Sequence, residues 1–153
     1  MRIGIDYTSA ATQGAGIGRY TRELMRALLT QPSPHQYAFF YAKPTPIDQS
    51  PITTHQSTIR RLPFQDKWLM RLWQRLQIPL PVETFVGRVD LFHSPDFTLP
   101  PTLPGLPTLL TVHDLSFVRD PDSAWPSLRA FLNTAVPRSV KRATHVLADS
   151  LAT

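Results

Sequence analysis

The chain has 153 residues, 42% of them hydrophobic, enough for one domain with a real core and too many for wholesale disorder. It contains no cysteine, which excludes a disulfide scaffold, a thiolate zinc site, an iron–sulfur cluster and a cysteine nucleophile. A formal charge of +5 is compatible with nucleic acid, an anionic membrane or a phosphorylated substrate, and it selects none of them. Proline is abundant, 16 residues against a usual share of about 5%, so long pinned loops should join short elements. Thirteen of the sixteen basic residues are arginine, the side chain suited to bidentate contact with phosphate or carboxylate. No apolar run reaches the length of a transmembrane helix, and the N-terminus shows no secretory pattern, so a cytoplasmic protein is expected.

Residues 2–7 read as a short buried strand, followed by a small, polar stretch from Thr8 to Gly18 with glycines at 14, 16 and 18. A helix starts at Ile17, with Tyr20, Leu24 and Leu28 on one stripe and Arg19, Arg22 and Arg26 on another, and Gln31-Pro32-Ser33-Pro34 stops it. Tyr37–Tyr41 is an aromatic strand. Residues 44–58 read as loop and Ile59–Leu62 as a third strand. Lys67–Gln77 is helical, with Trp68, Leu69, Leu72, Trp73 and Leu76 on one stripe and Lys67, Arg71 and Arg75 on another. Val89–His93 is a fourth strand, Pro95–Pro107 a loop with five prolines, and Thr108–His113 a β-branched fifth strand. After a loop opened by Asp120-Pro121-Asp122, Ser127–Arg142 is helical with a kink or break expected at Pro137, and His145–Ala148 is a sixth strand.

Strands and helices alternate, which argues for an α/β domain with a mostly parallel, doubly wound sheet. In such a sheet ligands bind beyond the carboxyl ends of the strands, at the switch point. The loops that leave strands one, four and five hold Gly14–Gly18, Ser94–Phe97 and His113-Asp114. The glycine loop opens a helix, whose free N–H groups and dipole suit a phosphate or a sugar hydroxyl, and Arg19 stands ready as a clamp; a plain turn that starts the helix is the other reading. Its spacing is G-x-G-x-G, and no acidic residue stands about 20 positions further on, so a dinucleotide fingerprint is poorly met; a Walker loop is absent. His113 at the strand edge reads as a substrate contact, an acid or base, or a strand cap. His93 has the same two readings. No histidine pair has metal-ligand spacing, and the nucleophile elbow G-x-S-x-G is missing. The basic, tryptophan-bearing helix at 67–77 suits either a core stripe with a solvated back or an anionic membrane surface. The arginines are dispersed and no nucleic-acid module appears.

Three ordered stretches resemble a known family. Met1-Arg2-Ile3-Gly4-Ile5-Asp6 with Gly16-Ile17-Gly18-Arg19-Tyr20-Thr21-Arg22 is similar to the start of glycosyltransferase family 4 enzymes. Asp90-Leu91-Phe92-His93-Ser94-Pro95 with Thr111-Val112-His113-Asp114-Leu115 resembles the middle of the same domain. Pro137–Ala143 and Val146-Leu147-Ala148-Asp149-Ser150 resemble its last helix and strand. The resemblance implies a GT-B architecture of two Rossmann-like domains, with residues 1–153 as the N-terminal, acceptor-side one. The C-terminal, donor-binding domain with its E-x7-E motif is expected to follow, since Asp149-Ser150 reads as a helix cap with no helix behind it, and the fragment alone is expected to be inactive.

The implied activity is retaining transfer of a hexose, such as mannose, from a nucleotide sugar to a glycan, glycolipid or other hydroxyl acceptor. Gly16, Ile17 and Gly18 would face the donor diphosphate or the acceptor, with Arg19 and His93 as further contacts. His113 would sit beside the transferred sugar, Asp114 would support its loop, and Ser150 would lie near the cleft. The resemblance implies neither a bound metal nor a cofactor besides the nucleotide-sugar co-substrate. The implied partners are that sugar, the acceptor and the C-terminal domain; the basic helix at 67–77 adds an expectation of peripheral contact at the inner face of the cell membrane, and the dispersed arginines argue against nucleic acid. A non-catalytic module for a phosphorylated or glycan ligand is the alternative, and a nucleotide-dependent oxidoreductase is disfavoured by the glycine spacing.

Overall fold

The computed structural model describes residues 1–14, 16–42, 55–120, 124–151 and 153. Six strands, β1 (Arg2–Asp6), β2 (Gln36–Tyr41), β3 (Ser57–Arg61), β4 (Leu91–Ser94), β5 (Thr108–Val112) and β6 (His145–Ala148), form one all-parallel sheet in the order β3-β2-β1-β4-β5-β6. The helices are α1 (Thr8–Thr12), α2 (Ile17–Thr30), α3 (Asp66–Met70), α4 (Glu83–Val86), α5 (Ser116–Arg119) and α6 (Pro126–Arg142), with a π-helical turn at Arg71–Arg75. The strand order is that of a doubly wound, Rossmann-like α/β fold, and it reverses direction between β1 and β4.

Burial of both faces explains why β2 is apolar from Tyr37 to Tyr41, with four aromatic rings around Ala38. Tyr37, Phe39 and Tyr41 enter one core with Ile5, Tyr7 and Met25, beneath α1 and α2. Ala38, Phe40 and Ala42 enter the other with Trp73, Phe92, Leu110, Val112 and Val136. Phe40 stacks on Phe92 at 6.3 Å and meets the Trp73 ring edge-on at 6.1 Å. β6 stands at the sheet margin, exposed along its length.

The structure corrects several sequence expectations. Within the small, polar stretch from Thr8 to Gly18 the structure adds a helix the sequence did not announce, α1 at Thr8–Thr12. A five-residue helix is too short to show a period. Tertiary contacts fix it instead: the Arg22 guanidinium donates to Ala10 O (2.7 Å) and Gln13 O (2.6 Å). Strand three covers 57–61 rather than 59–62, with Ser57 opposite Tyr37. Most of the expected loop at 44–58, residues 44–54, lies outside the described residues, as do 121–123.

The stripe on the helix at 67–77 divides. Leu76 N donates to Arg71 O, five residues back, so the turn is wider than an α-turn and shifts the later side chains around the axis. Leu69 and Trp73 are buried, whereas Trp68 and Leu76 face outward. α6 runs unbroken through Pro137. The loop 95–107 is pinned: Leu99 is buried, its N–H donates to Ser139 Oγ at 3.0 Å, and Arg142 donates to Pro100 O at 2.7 Å.

Candidate active site

A cleft of about 300 Å³ opens where the sheet order reverses. Its floor is Asp6 at the end of β1, Ser94 at the end of β4, and Asp96 and Thr98 beyond it. Ser9, Gln13 and Ile17 form one wall; Met70, Phe97, Leu128, Phe131 and Leu132 supply the apolar side. The site thus pairs hydroxyl and carboxyl groups with a hydrophobic wall, the usual mixture of a small-molecule pocket.

The glycine loop reaches this cleft through Ile17. Gly16 precedes α2 with φ 57° and ψ −123°, a conformation that strains a residue with a Cβ, although nothing lies within 4 Å of the space a Cβ would take. Gly18 acts differently. A Cβ there would collide with Gln13 O and come within 2.7 Å of Ser9 O, so this glycine lets α2 pack on α1. The first N–H groups of α2 stay free of helical partners, at the positive end of a 14-residue helix beside the cleft. Arg19 is exposed and bonds to no described side chain or carbonyl; Arg22, one turn on, is the arginine that binds backbone.

His113 follows β5, and the structure brings it to the same rim as α2. The Tyr20 ring of α2 meets the imidazole edge-on at 4.8 Å, and Phe97 does so from the cleft side at 5.6 Å. Both ring nitrogens are engaged, Nδ1 with Asp149 Oδ2 at 2.9 Å and Nε2 with Pro95 O at 3.1 Å. Both partners only accept, so the two bonds form together when each nitrogen carries a hydrogen. An imidazole held this way is an oriented polar group at the rim of the sheet.

Asp114 Oδ1 accepts from Ser116 N at 2.8 Å and from Ser116 Oγ at 2.6 Å, which fixes the turn into α5. Ser150 Oγ lies 3.0 Å from Thr153 Oγ1, and that hydroxyl donates to His113 O at 2.9 Å. Ser150 is therefore one hydroxyl away from the His113 backbone.

His93 lies apart from the cleft. Its ring is buried on the sheet, with Nε2 at 3.1 Å from Thr111 Oγ1, and it does not line the cleft. Burial pushes its pKa down to about 4, so it is a neutral tie between β4 and β5.

Sequence reasoning gave no role to three carboxyls. Burial raises the Asp6 pKa to about 7, against the hydrogen bonds from Thr8 and helped by the charges of Asp66 and Asp96. Asp66 is raised by burial and by Asp96. Asp96 is raised by burial, opposed by the Phe97 N–H and by His113. The signal was present for Asp6, Asp96 and Asp149: each lies at or just past the carboxyl end of a parallel strand. Among the described residues no group of three or more His, Cys, Asp or Glu is placed to hold a metal ion.

Residues 14–153 match the model of Glycosyltransferase Family 4, a span that holds the glycine loop, the cleft residues from Ile17 onward and His113. No curated protein matches the chain.

Proposed function

The chain belongs to glycosyltransferase family 4, whose chemistry is glycosyl transfer, and from that premise we propose that it is the acceptor-side half of a retaining hexosyltransferase. The donor is a nucleotide sugar, with mannose as the first sugar to try, and the acceptor is a hydroxyl on a glycan, a glycolipid or a comparable molecule. A second α/β domain holds most of the donor. The carrying observation is convergence: the N-terminus of α2 and the imidazole of His113 share one rim of the sheet, beside a cleft.

Each part then has a physical task. The acceptor enters the cleft, where Ser94, Thr98 and the carboxyls of Asp6 and Asp96 meet its hydroxyls and the Phe97 and Phe131 rings cover its apolar faces. The free N–H groups of α2 face the departing diphosphate and offset its developing charge. His113, fixed by Asp149 and Pro95, orients and polarises the transferred sugar. No protein nucleophile takes part in this reading; the acceptor oxygen attacks from the face that the diphosphate leaves, which keeps the anomeric configuration. Charge on the leaving group is met by N–H dipoles and cations, without an assigned metal. Closure of the second domain excludes water that would hydrolyse the donor.

The test joins this chain to its donor-binding domain and supplies labelled nucleotide sugars with hydroxyl acceptors. The reading expects a labelled product with the anomeric configuration of the donor. A product of inverted configuration contradicts the displacement. Ligand binding without transfer for every donor supports the alternative, a non-catalytic binding module.

A further inference from the structure

The outward side of the helix at α3 has no task in glycosyl transfer. Asp66 and Met70 of α3 line the cleft, and Leu69, Trp73 and Gln74 are buried beneath it. The opposite side holds Phe64, Trp68, Leu76 and Ile78 in the open, 50%, 55%, 65% and 41% exposed. Leu76 and Ile78 flank Gln77, whose φ of 52° is a left-handed conformation, so the backbone accepts strain where it presents both. Lys67, Arg71 and Arg75 are exposed among these apolar groups, and the Arg71 guanidinium lies over the Trp68 ring at 5.1 Å. Between residues 61 and 79 the chain carries Arg61, Lys67, Arg71 and Arg75 against one carboxylate, Asp66, which is turned to the cleft.

Three occupants of such a face differ in what they need. A second copy packed across a two-fold axis would bring these cations against their own mates. Nucleic acid would use the cations and leave Leu76 and Ile78 with nothing to touch. A bilayer with anionic headgroups uses every group: apolar side chains enter the acyl boundary, tryptophan sits at headgroup level, and lysine and arginine meet lipid phosphate.

We propose that residues 64–78 form a docking surface for an anionic lipid bilayer, with Phe64, Trp68, Leu76 and Ile78 inserted and Lys67, Arg71 and Arg75 against the headgroups. This goes beyond the transfer reading and does not depend on it. Since one helix lines the cleft on its inner side and meets lipid on its outer side, docking sets the cleft beside the membrane surface.

Co-sedimentation with vesicles tests it, using phosphatidylcholine alone and phosphatidylcholine with a quarter phosphatidylglycerol. The full protein binds the anionic vesicles and leaves the neutral ones, and salt weakens binding. Arg71→Gln with Arg75→Gln lowers partitioning about 25-fold, at about fivefold per cation. Trp68→Ser lowers it even where salt screens the charges. Arg88→Gln with Arg119→Gln, which remove the same charge elsewhere, change it little beyond the long-range field. Melting curves confirm that every variant is folded. Equal binding to neutral vesicles, or unchanged binding by the patch variants, overturns the proposal. So does a self-dimer or an RNA complex that the patch variants break while vesicles go unbound.

Discussion

Replacing Asp6 with asparagine isolates the energetics of the cleft floor. Asp6 carries a carboxyl whose pKa rises from 3.8 to about 7, chiefly through burial. The folded protein therefore keeps a proton that the unfolded chain releases. Below pH 3.8 both states hold it, and Asp6 costs nothing. As the pH climbs toward 7 the cost grows, and above both values it levels off at about 4 kcal/mol, taking 1.36 kcal/mol for each tenfold step. Asparagine removes the charge and keeps the oxygen that accepts from Thr8 N at 2.9 Å. Asp6→Asn should gain about 2 kcal/mol over wild type at pH 5 and about 4 kcal/mol at pH 8. Urea unfolding followed by circular dichroism at the two pH values measures the difference. An identical gain at both, or a loss at pH 8, refutes the buried carboxyl.

His93 should act with the opposite sign: its lowered pKa supplies stability that is complete above pH 6.5 and disappears as the pH falls to about 4, and its ring resonances should not titrate above pH 5 in the folded protein. Gly18→Ala should cost about 1–3 kcal/mol in a melt, because Ser9 O and Gln13 O leave no room for the methyl, and a neutral result would show that α1 can move. His113→Ala should lower transfer about 100-fold, while Asp149→Asn, which keeps the shape and weakens the hold on Nδ1, should lower it less with little change in melting temperature. If melting temperature falls in step with activity in both, His113 serves the fold alone.

The sheet was legible because each strand announces itself by local chemistry. The aromatic run of β2 and the β-branched run of β5 can sit only in a layer buried on both faces. Alternation with helices then gave the parallel order and the rim where a site belongs. What escaped depends on contacts between distant residues. α1 exists through an arginine twelve residues on. The outward placement of Leu76 follows from one wide helical turn that no period reveals. His93 and His113 look alike in sequence, each at the end of an apolar strand. One points into the sheet and becomes a neutral tie, and the other passes the strand end and is held by Asp149, 36 residues away. The carboxyls of the cleft show the same limit, since their raised pKa values come from enclosure that only the fold creates.

Filling the cleft is the sharpest probe of whether the acceptor sits there. Ile17 lines it at the first turn of α2, so Ile17→Trp places an indole where the acceptor would enter. In the protein with both domains, donor hydrolysis and transfer to acceptor are measured side by side. The expected result is loss of transfer in Ile17→Trp while the protein stays folded and still hydrolyses the nucleotide sugar slowly. Undiminished transfer through a blocked cleft would contradict that placement.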